Sequence, residues 1–169
     1  MSVPTNPRFQ QILDGMRAAG SVSGLRLPPP IFVDMQTDVR DYRPGAEGTH
    51  VGAVMVARFP LQERHQNPMG HMQGGMIAAA VDNVLGPLSY LVAPPSATAQ
   101  LAVTYLAPVT PDLAYIEVEA RFVQRAGRQL VFDATVSAPD GRPLAVARAT
   151  NQVVRPGPAR WTNRASTSM

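Results

Sequence analysis

The sequence predicts an α+β domain in which one antiparallel sheet of five to six strands wraps around a central helix. Three observations lead to this fold class. Residues 75–90 form an almost wholly apolar stretch of helical length, two strand-like segments precede it, and four strand-like segments follow it. An apolar helix of this kind is built to be buried, and a sheet curled around it would provide the burial.

The chain before the central helix contains an amphipathic segment and two strands. Over residues 6–19 the apolar side chains recur at helical spacing, and Gly20 marks the end of this helix. We expect it to pack on the outside of the sheet or over a ligand. A connection rich in Gly, Ser and Pro leads to a first strand at 31–43 and a second at 49–59, where alternate residues share one face.

The central segment begins with a loop at 60–74 and continues as a helix over 75–90. Pro87 follows Gly86 inside this helix and removes a backbone donor, so we expect a kink there or the end of the regular helix. Asp82 is the one carboxylate in the apolar run. A carboxylate buried there must be paired, protonated or functional, because an uncompensated buried charge is costly.

Four strands follow the helix, at 97–107, 113–125, 128–138 and 143–154. In the second of them polar and apolar residues alternate from Tyr115 to Phe122, which is the pattern of a half-buried strand. Turns that contain Gly at 125–128 and at 139–142 predict two hairpins.

The 169 residues, 45% of them hydrophobic, predict one compact domain. We divide the chain into an N-terminal helix and linker at 1–29, a core domain at 30–155 and a polar, disordered tail at 156–169. No apolar run approaches the roughly 20 residues that cross a bilayer, and the N-terminus lacks the pattern of a secretory signal. We therefore expect a cytoplasmic protein without membrane association, which the absence of cysteine also favours.

Composition also narrows the classes of partner and cofactor. All 15 basic residues are Arg, they are scattered, and the net charge is only +3, so we do not expect nucleic-acid binding. Without cysteine there is no thiolate zinc site, and the three His lack the spacing of a metal site, so we expect no metal. Arg favours phosphate contacts, which keeps a phosphorylated small ligand among the candidates.

The glycine pair at the start of the central helix predicts a site where negative charge can develop. Gly74 and Gly75 would present free backbone N–H groups at the positive end of the helix dipole. Asp82 lies about 12 Å further along at about 1.5 Å per residue, so one substrate carbonyl cannot contact both groups of one helix. Two antiparallel helices across a two-fold axis would bring Gly74 of one subunit to Asp82 of the other, which predicts a dimer with shared sites if both groups act.

The order of these residues resembles a known family signature. The chain contains Asn67, then five residues, then Gln73 and two glycines, then six residues, then Asp82. This order resembles the hotdog-fold acyl-CoA thioesterases of the PaaI type, in the 4-hydroxybenzoyl-CoA thioesterase superfamily. The usual signature of that family is Asn, five residues, His-Gly-Gly, six residues and Asp, often followed by a small residue such as Gly86. The resemblance covers residues 30–154.

The resemblance implies a hotdog-fold hydrolase of medium-chain or aryl acyl-CoA, acting as a homodimer or as a tetramer. By position, Asp82 would be the nucleophile or the general base for water, the Gly74 N–H would polarise the thioester carbonyl, and Asn67 would orient the water or the carboxylate. Thr98 opens a segment similar to the family's third strand, where members carry a Ser or Thr bonded to the catalytic carboxylate. No cofactor is implied, since CoA is part of the substrate.

The sequence departs from the family pattern at Gln73, where many members have His. A Gln amide can donate a hydrogen bond to a carbonyl oxygen but cannot carry a proton, so Gln73 fits carbonyl polarisation alone. His71 would compensate only if the loop turns it inward. Of the remaining candidates, Gly75 would let the substrate approach the helix, and Met76 suits an acyl pocket that adapts its shape.

Several of these residues have a simpler structural interpretation. Asn67 precedes Pro68 and fits a turn, and Asp82 fits a structural carboxylate bonded to a neighbour. Arg125 and Arg128 flank a hairpin turn, where they would be solvated unless they hold the CoA phosphates.

Two alternative functions keep the fold. One is a non-catalytic acyl-CoA-binding protein, in which Gln73 marks lost activity. The other is an enoyl-CoA hydratase or dehydratase, which would need a His together with a carboxylate.

Overall fold

The computed structural model describes residues 10, 13, 14 and 27–154. In chain order its elements are α1 (Pro30–Asp34), β1 (Asp38–Arg43), β2 (Val54–Pro60), a 3-10 turn (Glu63–His65), α2 (Gly74–Val92), β3 (Ser96–Tyr105), β4 (Tyr115–Ala126), β5 (Gln129–Ser137) and β6 (Pro143–Val153). The six strands form one antiparallel sheet in the order β1-β2-β4-β5-β6-β3. Strand β3 therefore lies at one edge of the sheet.

The central helix α2 packs in the curve of this sheet because one side of it is apolar. Its buried residues recur at intervals of three and four, namely Ile77, Ala80, Val81, Val84, Leu85, Leu88, Ser89 and Val92. The sheet meets them with the side chains of its inner face, among them the fully buried Met55, Phe59, Ile116, Phe122 and Phe132. The predicted antiparallel sheet of five to six strands around a central helix is confirmed, and it has six strands.

The first two strands begin later than predicted. Residues 31–34 are helical rather than extended, because Pro30 opens α1 with its φ already fixed near the helical value. The second strand begins at Val54 and not at residue 49, because the residues before it form a turn with Gly48 at φ 75° and Gly52 at φ 84°. Val51 is exposed as a result and does not share the buried face.

The central helix runs from Gly74 to Val92 and does not end at Pro87, so that part of the expectation was wrong. Pro87 has no N–H to donate to the carbonyl of Asn83, and one intrahelical hydrogen bond is missing there. In the same turn the Ser89 hydroxyl donates to the Gly86 carbonyl at 2.7 Å. Packing of the buried side against the sheet holds both halves of the helix in place.

The predicted N-terminal helix lies largely outside the described residues. Gln10, Leu13 and Asp14 are helical, and Leu13 is buried with the core. The predicted tail at 156–169 also lies outside the described residues, and the boundaries of the three segments stay predictions.

By length and composition alone the central helix is able to cross a membrane. It has 19 residues, and its most apolar stretch of 18 residues has a mean hydropathy of 1.4. The expectation that no apolar run approaches this length was therefore wrong. The helix lies in the curve of the sheet with one side buried, and the core accounts for its apolar character. The expected absence of membrane association stays a prediction.

The outer face of the sheet carries cross-strand ion pairs. Arg58 Nε lies 2.8 Å from Glu117 Oε2, and its guanidinium stacks 4.5 Å from the centre of the Tyr115 ring. Arg148 binds both carboxylate oxygens of Asp133, at 2.7 and 2.9 Å. Such part-exposed pairs contribute little to stability, but they show that this face is hydrated, as the strand alternation predicts.

Candidate active site

Asn67 shapes the loop before the central helix. Its Oδ1 accepts hydrogen bonds from the backbone N–H groups of Met69, at 2.9 Å, and His71, at 3.1 Å. Its own backbone N–H donates to the His71 carbonyl at 2.7 Å. Gly70 completes the turn at φ 78°, in the left-handed region that favours glycine. The side-chain oxygen of Asn67 is thus hydrogen-bonded within the loop, as expected for a turn residue.

Two backbone hydrogen bonds anchor the end of this loop. The Gln73 N–H donates to the His65 carbonyl at 2.8 Å, and the Met72 N–H donates to the Val109 carbonyl at 2.9 Å. These bonds fix the start of the central helix to two other parts of the chain, the 3-10 turn and the connection between β3 and β4.

The first backbone N–H donors of the helix belong to Gly74 and Gly75, the glycine pair predicted to begin it. Gln73 occupies the N-cap with an extended backbone, and its exposed side chain does not cap the helix. The Met76 N–H donates to the Gln73 carbonyl at 2.8 Å. The N–H groups of Gly74 and Gly75 come before this bond and have no acceptor within the helix, so they are donors for a ligand oxygen.

Tyr105, which sequence reasoning missed, packs over Gly74. Its hydroxyl donates to the Gly74 carbonyl at 2.7 Å. A Cβ at position 74 would lie 3.1 Å from the Tyr105 ring, so only glycine leaves the ring where it is. No local signal in the sequence identifies Tyr105, because the contact joins the end of β3 to the start of a helix 31 residues earlier.

Asp82 and Thr98 are hydrogen-bonded to each other. The Thr98 hydroxyl donates to Asp82 Oδ1 at 2.7 Å. Asp82 is exposed in this chain, so the expectation of a buried carboxylate was wrong for the single chain. The reason is that Asp82 lies on the opposite side of the helix from the apolar residues that face the sheet.

Asp82 also lines a cavity of about 170 Å³ between the central helix and the segments that precede β1. The cavity is formed by Leu13, Leu27, Pro29, Phe32, Asp82, Asn83, Gly86, Pro87 and Tyr90. Burial raises the pKa of the Tyr90 hydroxyl, and the negative charge of Asp82 raises it further, so this phenol stays protonated and able to donate. The spacing of Asp82, Gly86 and Tyr90, each four residues apart on one helix face, is the signal that would have identified this wall.

The two predicted phosphate-binding arginines lie at the other end of the central helix. Arg125 Nε donates to the Gly127 carbonyl at 2.9 Å, and Arg128 donates twice to the Val153 carbonyl, at 2.8 and 3.2 Å. Arg125 lines a second, wider cavity of about 790 Å³, to which Tyr90 also contributes. Tyr90 thus lines both the cavity that contains Arg125 and the cavity that contains Asp82.

The other residues that were predicted to contact the substrate are dispersed. Met76 is half-buried against the core, Gly75 is exposed, and His71 is half-buried in the loop. Within the described residues no group of three or more His, Cys, Asp or Glu is placed to hold a metal ion. One chain thus brings Asp82 to Thr98 and Tyr105 to Gly74, but it does not bring Asp82 to the Gly74 amide.

The architecture and the site define a class of protein, the hotdog fold with a glycine-led central helix and a carboxylate on its outer side. Residues 69–145, from just after Asn67 to the start of β6, match the model of the thioesterase superfamily. The resemblance noted in the sequence is thereby confirmed for this segment, which contains Gly74, Asp82 and Thr98. A comparison with curated proteins finds no match.

Solved structures share the fold. The PaaI protein of the phenylacetic acid degradation operon of E. coli is 11% identical, with a TM-score of 0.65 over 85% of this chain and 95% of that one. A hypothetical thioesterase of Streptococcus pneumoniae holding coenzyme A is 19% identical, with a TM-score of 0.61 over 70% and 88%. A Streptococcus mutans protein bound to acetyl-CoA is 20% identical, with a TM-score of 0.62 over 77% and 93%. At these identities the likeness establishes the hotdog fold.

The loop that carries Gln73 contains a buried histidine with a testable effect on stability. His65 is 5% exposed, and neither ring nitrogen has a hydrogen-bond partner among the described residues. Burial lowers the pKa of His65 from its ordinary 6.5, and the charge of Arg64 lowers it further. Below pH 6.5 the unfolded chain therefore binds a proton that the folded chain resists, and stability falls as the pH falls.

We expect the unfolding free energy of the wild type to fall more steeply below pH 6.5 than that of His65→Leu, and the two slopes to agree above that pH. Urea denaturation between pH 5 and pH 8, about the range in which histidine titrates, measures both. His65→Leu also removes two unpaired nitrogens, so it should be no less stable than the wild type at neutral pH. Equal slopes below pH 6.5 would show that His65 does not resist protonation.

Proposed function

We propose that this protein hydrolyses the thioester bond of acyl-CoA. The observation that supports this proposal best is the Asp82 carboxylate, which Thr98 holds at 2.7 Å in the wall of a cavity of mostly apolar residues. A positioned carboxylate beside space for an acyl group, on a helix whose N-terminus offers free N–H donors, has the groups that acyl transfer to water requires. The superfamily match and the CoA-containing neighbours agree with this reaction.

In the proposed reaction the thioester carbonyl carbon gains an oxygen and loses the sulfur of CoA. Either Asp82 takes a proton from the attacking water, or its carboxylate attacks first and water then hydrolyses the resulting anhydride. The Gly74 N–H donates to the carbonyl oxygen as negative charge develops on it. Gln73 adds at most a neutral amide donor, because it carries no transferable proton. The reaction needs no cofactor.

The proposed active unit is a homodimer. Asp82 and the Gly74 amide are about 12 Å apart along one helix, so a complete site takes one group from each of two subunits. Strand β3 forms an edge of the sheet, and the exposed side chains of Tyr105 and Leu106 lie at its end. Within the part of the chain that the structure describes, no further strand pairs with this edge, and an edge with apolar side chains suits pairing with a second copy. A tetramer and a cytoplasmic location stay expectations from the sequence.

The proposed substrates are medium-chain or aryl acyl-CoA esters. The cavity beside Asp82 has mostly apolar walls and suits an acyl group, whereas Arg125 and Arg128 are the proposed partners of the CoA phosphates. Both guanidinium groups donate to backbone carbonyls here. The free N–H groups of each side chain would contact the phosphates.

A second candidate is a non-catalytic acyl-CoA-binding protein. The exposed Gln73 amide favours it, because the position that carries a His in many family members has no proton to transfer here. The hydratase alternative is weaker. No histidine lines the described cavity around Asp82, whereas addition of water to a double bond would need a His beside the carboxylate.

Replacing Asp82 tests the proposed reaction directly. We expect Asp82→Asn to lower kcat by a factor on the order of 100 to 10,000, because the amide neither accepts the proton nor attacks the carbonyl. Release of free thiol from short, medium, long and aryl acyl-CoA esters measures it. Asp140→Asn, the same change at an exposed carboxylate in the β5–β6 turn, is the matched control. Full turnover by Asp82→Asn would remove Asp82 from the mechanism.

The hydroxyl of Thr98 provides a second test. Thr98→Val keeps the shape of the side chain and removes the donor to Asp82, so we expect kcat to fall about tenfold, since a hydrogen bond to a charged group contributes about that factor. Thr98→Ser keeps the hydroxyl and should stay within about threefold of the wild type in the same assay. If Ser and Val lower kcat equally, the hydroxyl is not what positions Asp82.

A further inference from the structure

The two glycines at the start of the central helix have different surroundings. A Cβ at Gly74 would lie 3.1 Å from the ring of Tyr105 and 3.2 Å from its hydroxyl oxygen, so the missing side chain of Gly74 makes room for this tyrosine. A Cβ at Gly75 would meet no atom of the described residues within 4 Å, and Gly75 is exposed. Gly75 therefore leaves the space through which a thioester group can approach the backbone.

The Tyr105 hydroxyl acts on the peptide group that contains the Gly75 N–H. It donates to the Gly74 carbonyl oxygen at 2.7 Å. This carbonyl and the N–H of Gly75 belong to one planar, conjugated peptide group. A hydrogen bond to the oxygen draws electron density from the nitrogen, so the N–H becomes a stronger donor. Hydrogen bonds linked in this way strengthen one another by about 10–30% per bond.

The Gly75 N–H is available to a ligand. The Met76 N–H makes the first bond to the Gln73 carbonyl, at 2.8 Å, and the Gly75 N–H comes before it at the positive end of the helix dipole. Tyr105 also fixes the position of this donor, because it ends β3, a strand that pairs with β6 from Ser96 to Tyr105. A donor that the fold holds in place needs no reorganisation when charge develops on a substrate oxygen.

We propose that Tyr105 is a positioning residue for the hydrolysis of acyl-CoA, and that it acts through the peptide group between Gly74 and Gly75. The N–H of this group is a second donor to the developing oxyanion, beside the Gly74 N–H. The inference rests on the proposed acyl-CoA function and adds to it one donor and the residue that strengthens it. Because the negative charge develops only in the transition state, the hydroxyl should affect kcat and leave KM nearly unchanged.

Removing the hydroxyl gives the first arm of the test. Tyr105→Phe keeps the ring against Gly74, and we expect kcat for octanoyl-CoA and benzoyl-CoA, one ester from each proposed class, to fall about threefold to tenfold. One neutral hydrogen bond contributes about that factor, and KM should stay within about twofold. Tyr115→Phe, the same change beside Arg58 on the outer face of the sheet, is the matched control and should leave kcat unchanged. An unchanged kcat in Tyr105→Phe overturns the inference and leaves the hydrolase.

A double-mutant cycle shows whether Tyr105 acts through the Gly75 N–H. Gly75→Pro removes this N–H in the first helical turn, where proline is tolerated, and Gly75→Ala is the reference for added bulk that keeps it. We expect a lower kcat in Gly75→Pro than in Gly75→Ala. Tyr105→Phe should then keep its full effect in the Ala background and change kcat less than about twofold in the Pro background. Equal effects in both backgrounds would show that Tyr105 acts elsewhere, which overturns the inference.

Infrared spectroscopy measures the polarisation of the thioester carbonyl without turnover. The probe is benzoyl-CoA, isotope-labelled at the carbonyl carbon and bound to the Asp82→Asn protein. We expect the carbonyl stretch at a lower frequency in this complex than in water, and Tyr105→Phe should move it back toward the free ester. A purely structural hydroxyl would lower the melting temperature and leave this frequency unchanged, which overturns the inference. This arm decides the question if Gly75→Pro does not fold.

The spectra also separate the inference from the proposed reaction. If the wild type binds benzoyl-CoA and hydrolyses neither ester, its own complex is measured. A shift that Tyr105→Phe reverses then supports the inference, and only the hydrolase assignment fails. Hydrolysis that Tyr105→Phe leaves at the wild-type kcat, with the same carbonyl frequency, overturns the inference alone. Failure to bind or hydrolyse either ester overturns both.

Discussion

The fold and the site both depend on the burial of one side of the central helix in the curve of the sheet. The sheet covers the side of the helix that carries the apolar residues from Ile77 to Val92. Burial of these residues fixes the rotation of the helix about its own axis. The opposite side then presents Gly75, Asp82 and Gly86 outward along one stripe. The same packing that stabilises the domain therefore exposes the one carboxylate of the helix.

Strand β3 connects the two ends of this stripe. Near its beginning Thr98 donates to Asp82, and at its end Tyr105 donates to the first carbonyl of the helix, that of Gly74. A single edge strand thus positions both the carboxylate and the start of the helix. The loop bearing Asn67 fixes the same helix start from the other side, through backbone hydrogen bonds to His65 and Val109. The helix N-terminus is consequently held by three separate parts of the chain.

In the proposed dimer, one subunit would hold half of each site. The distance between Asp82 and the Gly74 amide follows from helix geometry, and no side-chain movement removes it. The exposed state of Asp82 and the position of β3 at the edge of the described sheet suit the proposed second copy. Within the single chain the cavity beside Asp82 is nonetheless formed, because α1 and the residues before it cover the outer side of the helix.

The sequence by itself determined the fold class, the last four strands and the central helix, because strand alternation and an apolar run of helical length are local patterns. The family resemblance also led to the expectation that Thr98 bonds the Asp82 carboxylate, and the structure shows this hydrogen bond. The sequence misjudged α1, where a proline at the first helical position outweighed a strand-like composition, and it placed Asp82 in the core. Only the tertiary structure decided the exposure of Asp82, the contact of Tyr105 with Gly74 and the cavity at Gly86. Each of these depends on the distance between residues far apart in the chain, which packing sets and which no local pattern encodes.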